Sequence, residues 1–372
     1  MKRLLTVLLA GISAAFASCG DDGAEKGDTW FLKPEAVVSG TTAEISCRTK
    51  FADGVLTEGY QTYTYSDDFS YYAAGVPSTV NGFLLQKDME TVFPFYIDYY
   101  HTQYDTPDTY NEAVMRFNIA YYGALAMYID QMPAADLDFT AQTARLTAAM
   151  DKDVMAQAGA DVEAYQAALA ELDEAATAMR AKVVEVNRAY EAAREAGDEA
   201  AMAQLRETGR TLTSRNLEAF RYAQKYLLGL MYERPIVPHE APQETITLCE
   251  AIIDCLKDGD PATAVDEYAW TVNNVLEWYA MYFSPGVIAV QDDMNWSADN
   301  QDNLYWGTDI NFDKADVDAA TRSLYVRYDD KGGDFTEEIA IYEKAIETEK
   351  AKLAAKAQAE AEAMAGLAEL LK

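Results

Sequence analysis

Histidine is nearly absent from this chain: His101 and His239 are the only two among 372 residues. A catalytic triad, or a metal site built on several imidazoles, has almost nothing to draw on. Cysteine is scarce too, with Cys19, Cys47, Cys249 and Cys255 and no CxxC pair. Setting Cys19 aside leaves an odd number, which argues against a disulfide framework. Cys249 and Cys255 stand six apart in a helical pattern, on different faces, and a cysteine zinc site is disfavoured. Positive charge is also short, with 30 basic against 62 acidic residues and a net charge of −32. Such a chain is repelled by phosphate backbones, which argues against nucleic acid as a partner. It avoids an anionic membrane surface unless a lipid tethers it. GxSxG and HExxH are missing, and Gly332-Gly333 reads as a turn rather than a phosphate loop.

What is present is a large hydrophobic share, 50%, enough for a sizeable core without staples. The length suggests about two domains. Lys2 and Arg3 open the chain, followed by the apolar run LLTVLLAGISAAFA and then SCGDDG. This is the plan of a signal peptide, too short for a stable membrane span. Ala15-Phe16-Ala17 fits ordinary cleavage. FASC resembles a bacterial lipobox, with Cys19 as the lipidated residue, although Phe16 departs from the usual aliphatic residue. The favoured expectation is a lipoprotein anchored at the outer membrane of a bacterial envelope, with the membrane touched only through that lipid. A secreted or periplasmic protein is the alternative.

After a polar tether over 20–33, the text from 36 to 66 is strand-like, and AAGVPSTVNGF over 73–83 reads as a short buried strand. Thr109 and Glu112 form a capping box for a helix that ends before Pro133. From about 140 alanine becomes dense. Leu169, Leu172, Ala176, Met179, Val183, Val186, Tyr190 and Ala193 follow a three-four rhythm, a coiled-coil-like seam. Gly197-Asp198 breaks it, and a second long helix with Leu205, Leu212, Leu217, Phe220, Leu227 and Leu230 runs to about Glu233. The two make an antiparallel hairpin. Helices over about 242–257 and 261–283 follow, the latter with Pro261 in its first turn. Residues 284–335 read as irregular and aromatic, and 336–372 as a final helix capped by Thr336, with a weak apolar stripe.

Among candidate sites, YYHTQYDT over 99–106 is the most suggestive. His101 sits before a helix start. Tyr100 offers a phenol to a developing oxyanion. Asp105 can accept the second imidazole N–H and fix the ring, the usual support of a metal-bound histidine. A lone histidine beside aromatics is also a common structural hydrogen-bonder, so these residues permit a metal site without demanding one. His239, in a loop between prolines, reads as a structural or surface histidine. The stretch WSADNQDNLYWGTD, with Trp296, Tyr305 and Trp306, could stack on sugar rings or bind calcium through oxygens. Its spacing is not that of an EF-hand, and a surface loop is the preferred reading.

YHTQYDT resembles the final metal-ligand motif of the co-catalytic zinc exopeptidases related to glutamate carboxypeptidase and the transferrin receptor. YSDDFSYYAAGVPS is similar to that family's Ser-Asp loop and the strand ending in Gly-Ile/Val-Pro-Ser. The helices from about 213 to 283, with YERP and LKDGDPATA, are similar to its helical dimerisation domain. The resemblance covers about 60–283. It implies an α/β fragment of a zinc-exopeptidase domain (phosphorylase/hydrolase-like) over 34–139, then a mainly α-helical, dimerisation-like domain over 140–372. It further implies His101 as a zinc ligand, Tyr100 as the partner of the tetrahedral intermediate, and Ser66 with Asp67 or Asp68 in the substrate-facing loop.

The chain departs from the family where a second histidine, a bridging aspartate and a Glu-Glu pair are needed. About a hundred residues precede His101 and none is a histidine. One imidazole holds zinc poorly, because zinc sites use three or four protein ligands. Two functions are therefore expected. One is an exopeptidase-like envelope protein acting on peptides, inactive unless a complementary peptidase half supplies the missing groups; a homodimer is implied by the helical domain. The other is a non-enzymatic surface lipoprotein serving binding or assembly.

Overall fold

The computed structural model describes residues 31–32, 42–46, 55–57, 67–78, 99, 102–109, 112–230, 235–272, 283–296 and 315–372. The first elements are β1 (Phe31–Leu32), β2 (Thr42–Ser46), β3 (Val55–Thr57), α1 (Asp67–Ala73) and α2 (Glu112–Gln131). Then come α3 (Thr140–Ala149), α4 (Lys152–Gln157), α5 (Val162–Ala196) and α6 (Glu199–Tyr226). A two-residue pair, β4 (Gly229–Leu230) with β5 (Pro235–Ile236), leads to α7 (Glu240–Lys257). The last are α8 (Pro285–Trp296), α9 (Asp318–Val326) and α10 (Thr336–Leu371).

These residues form two compact units, one of 1–60, 81–135 and 185–211, the other of 61–80, 136–184 and 212–372. Helices α5 and α6 each contribute to both units.

In the first unit β2 pairs antiparallel with β1 and β3. The helical part turns on Gly197, whose φ of 70° suits a glycine. Asp198 N–H donates to Ala193 O at 2.9 Å and Gly197 N–H to Arg194 O at 3.2 Å, a Schellman ending for α5. Asp198 then caps α6, accepting from Ala201 N–H at 3.0 Å. Tyr190, Ala193 and Met202 pack together across that turn with Ala201 and Leu205. The expected hairpin turn is thus present at Gly197-Asp198.

In the second unit α7 packs along α10. The buried face of α7 is Thr245, Ile246, Cys249, Ile252, Ile253 and Leu256, spaced as a helix presents one side. The buried line of α10 runs Tyr342, Ile346, Glu349, Leu353, Ala357, Glu360, Met364, Leu367 and Leu371. Three glutamates of this helix, Glu338, Glu349 and Glu360, occupy buried positions, which is why its apolar stripe looks weak in sequence. Asp260 caps the turn at Pro261 by accepting from Thr263 N–H at 3.2 Å, and the chain passes into a π-helical segment over Ala264–Ala269. Gly332 N–H donates to Gly259 O at 2.9 Å. Both glycines have positive φ, and a Cβ on Gly259 would meet Gly332 Cα at 2.8 Å.

Several expectations are corrected. The α/β peptidase domain is not seen: the described residues are predominantly helical, and their strands are two to five residues long and paired only antiparallel. A peptidase-type α/β layer needs parallel strands with crossover helices. The strand placed over 73–83 begins instead as the end of α1 and a turn at Gly75. Helix α2 starts at Glu112, which is therefore its first residue rather than the third residue of a helix capped by Thr109; Glu112 pairs with Arg116 at 2.9 Å. The second hairpin helix stops at Tyr226 rather than Glu233, because 229–230 pairs with 235–236. Its buried line is Met202, Gly209, Asn216 and Ala223, with Leu205, Leu212 and Leu217 only half-buried beside it. Residues 284–335 hold two helices, α8 and α9. Asp334, not Thr336, caps α10, accepting from Thr336 N–H at 3.0 Å. Among the described residues no helix is long and apolar enough to cross a membrane.

Candidate functional site

The residues of the expected zinc site are only partly placed. Cys19, Ser66, Tyr100 and His101 lie outside the described residues, as does most of the WSADNQDNLYWGTD stretch. Asp67 and Asp68 are the first two residues of α1, so the expected loop is helical there. Asp105 is exposed, in a turn organised by Thr102. The Thr102 hydroxyl donates to Tyr99 O at 2.8 Å and accepts from Tyr104 N–H at 3.1 Å, while Asp105 N–H donates to Thr102 O at 3.3 Å. Among the described residues no group of three or more His, Cys, Asp or Glu could hold a metal ion.

The other imidazole is fully employed. His239 is 0% exposed and stands at the start of α7, so it is not a surface residue. Its Nδ1 lies 2.8 Å from Glu360 Oε2 and its Nε2 lies 3.3 Å from Ala149 O, the end of α3. Tyr165 OH donates to Glu360 Oε2 at 2.8 Å, and His239 N–H donates to Glu360 Oε1 at 2.6 Å. An imidazole facing an acceptor on each nitrogen carries a proton on both. The ring is therefore an imidazolium. Burial disfavours the charged ring, but the bond to Glu360 and its charge, helped by Ala149 O and Glu240, outweigh burial and raise the His239 pKa. The cation also meets the negative end of α3. Gln243 completes the joint, donating to Ala149 O at 2.8 Å and accepting from Asp151 N–H at 2.9 Å. Asp151 in turn caps α4. No lone pair remains on His239 for zinc, so it does not fit as a metal ligand.

The described thiols are equally quiet. Cys249 is buried, and burial pushes its pKa up to about 12. Cys255 is half-buried and raised by burial and by Asp260, Asp258 and Asp254. Neither has the electropositive setting that activates a cysteine.

The first unit holds a cleft of about 470 Å³ at the hairpin tip. One wall is α5, with Tyr190 and Arg194 one turn apart; the facing wall is α6, with Met202, Arg206 and Arg210 at successive turns. The end of α2 closes it, through Asp130, Gln131, Met132 and Pro133. Two contacts fix that end. Asn187 grips the backbone of Ala134 twice, accepting from its N–H at 3.0 Å and donating to its O at 2.9 Å. At Gly209 the α6 backbone comes so near Pro133 that a Cβ would collide with the Pro133 carbonyl. Arg206 and Arg210 flank that close approach. The Arg206 guanidinium lies 5.3 Å from the centre of the buried Tyr190 ring. Arg194 donates to Gln131 Oε1 at 3.2 Å and to Glu191 Oε1 at 3.1 Å. Arg210 pairs with Glu207 at 2.7 Å, both well exposed.

This cleft is not among the sites expected from the sequence, although a signal exists. A turn centred on Asp198 sets residue 190 opposite 206 and residue 194 opposite 202, and the spacings 190/194 and 202/206/210 each mark one helix face. Compared with known protein families, curated proteins and solved structures, the chain matches none.

Proposed function

We propose that this chain is a non-hydrolytic protein of the bacterial envelope, lipid-anchored through Cys19, that binds a partner molecule with its helical body. The observation that carries this reading is the state of His239. One of only two imidazoles is spent as a buried cation on Glu360 and Ala149, and that role is structural. A zinc hydrolase would then depend on His101 for all its imidazole chemistry, below the ligand set that zinc sites use.

The test is direct. The purified full chain is incubated with zinc and offered aminoacyl and dipeptide substrates, and its zinc content is measured by equilibrium dialysis. The expected outcome is no turnover above buffer and no stoichiometric zinc. Turnover abolished by His101→Ala would overturn the reading.

A further inference from the structure

We propose that the hairpin-tip cleft is a binding site for a small organic anion, a carboxylate or phosphate carried on an apolar or aromatic body. This deepens the binding reading above and rests on it.

Charge is the first ground. Acidic residues outnumber basic ones by two to one in this chain, 62 to 30, yet three arginines and a single aspartate line this cleft. Random placement on such a surface would favour the opposite sign. A concave wall of guanidinium groups concentrates field lines and draws in anions. Arginine also offers a planar fork of donors that matches carboxylate and phosphate oxygens.

Availability is the second ground. Among the described residues no carboxylate pairs with Arg206; its neighbour is the face of Tyr190. Stacking on an aromatic face holds the guanidinium flat and leaves its N–H edge free to donate. Among the described residues Arg210 is paired only with Glu207, an exposed i,i+3 contact that contributes little and is readily exchanged. Arg194 is fixed by Gln131 and Glu191, so it serves as a positioned wall rather than a mobile arm.

The rest of the lining sets the ligand's body. Met132, Pro133 and Met202 bring apolar surface to the same cleft, and methionine adapts to flat ligands. A volume of about 470 Å³ lies in the range of small-molecule sites. Asn187 and the Gly209–Pro133 approach hold the walls in place. An inorganic anion would satisfy the arginines and leave the apolar wall uncovered.

The experiment is calorimetric titration of the full chain with phenyl phosphate, benzoate, inorganic phosphate and benzyl alcohol. The expected result is saturable single-site binding of phenyl phosphate or benzoate, with Kd in the millimolar range or below. The better of the two tells phosphate from carboxylate. Arg206→Ala and Arg210→Ala should each weaken it by about tenfold, while Arg188→Ala, an exposed change on α5 outside the cleft, leaves it unaltered. All three positions are exposed on helices, and circular dichroism checks that each variant folds. The proposal is overturned by no saturable binding of either aromatic anion, by affinity that survives the double Arg206→Ala/Arg210→Ala variant, or by inorganic phosphate or benzyl alcohol binding equally well. Peptide turnover with zinc would remove the non-hydrolytic reading and leave the outcome of the titration standing.

Discussion

Glu360 holds His239 through both carboxylate oxygens, one on the backbone N–H at 2.6 Å and one on the ring Nδ1 at 2.8 Å. The two residues are 121 apart in sequence and both are essentially unexposed. With Ala149 O on the far side of the ring, this pair joins the end of α3 and the start of α7 to the body of α10.

Removing one partner strands the other. Glu360→Ala should destabilise the chain by roughly 3–5 kcal/mol, because it leaves a buried cation uncompensated. Tyr165 loses its acceptor in the same variant. His239→Ala should cost a similar amount. Urea denaturation of both single variants and the double variant checks this, and the double should cost less than the sum. Additive losses would show that the pair is not coupled.

The pair also dictates a pH response. The folded pKa of His239 is raised above its unfolded value of 6.5. The folded state therefore binds more protons than the unfolded chain as pH climbs past that value. The stabilisation is fully present below 6.5 and is lost as pH rises through the folded pKa. Denaturation midpoints measured upward from pH 6 should fall for the parent and stay flatter for His239→Gln. Glu360, Glu240, Tyr165 and Ala149 O face the ring, and Arg145 stands 4.0 Å from Glu240. Arg145→Gln should therefore modify the slope only slightly.

The walls of the hairpin-tip cleft rest on Asn187. Asn187→Ala leaves Ala134 N–H and O without their amide partner, and about 1–3 kcal/mol should be lost. Gly209→Ala should be worse, since its Cβ would collide with backbone at Pro133 rather than a yielding side chain. Hydrogen exchange should report faster opening around 130–135 in both variants, with α7 and α10 unaffected.

Thiol labelling should rank by burial and pKa. Cys249 is buried, with its thiol pushed up to about 12, and Cys255 is half-buried. Maleimide at neutral pH, followed by peptide mapping, should modify Cys255 first and reach Cys249 only on unfolding. Equal labelling of the native chain would contradict the packing of α7 on α10.

Local signals in the sequence survived where a single element explained them. The seam of α5 is one: Leu172, Ala176, Met179 and Val183 are all buried, since a three-four spacing of apolar residues defines one helix face wherever the partner lies. The turn at Gly197 is another, because positive φ and an Asp cap are properties of neighbouring residues. The leucines of α6 misled because the buried line passes through Met202, Gly209, Asn216 and Ala223. Small and polar residues fill it where another segment presses close, as Pro133 does at Gly209. The strand-like text before the helical part suggested an α/β layer, but alternation specifies a strand's two faces and says nothing of which strand, if any, lies beside it.

The sequence by itself settled the helical hairpin's turn, the end of α7 at Lys257 and the acidic net charge, because backbone sterics, helix periodicity and net charge act within a few residues or over the whole composition. Only the tertiary structure decided that Glu360 belongs in the core, that His239 is a cation, and that Tyr190, Arg194, Arg206 and Arg210 share one cleft. Those outcomes depend on which distant groups meet once water is expelled. A buried charge is tolerable only beside its partner, and no local pattern names a partner 121 residues away.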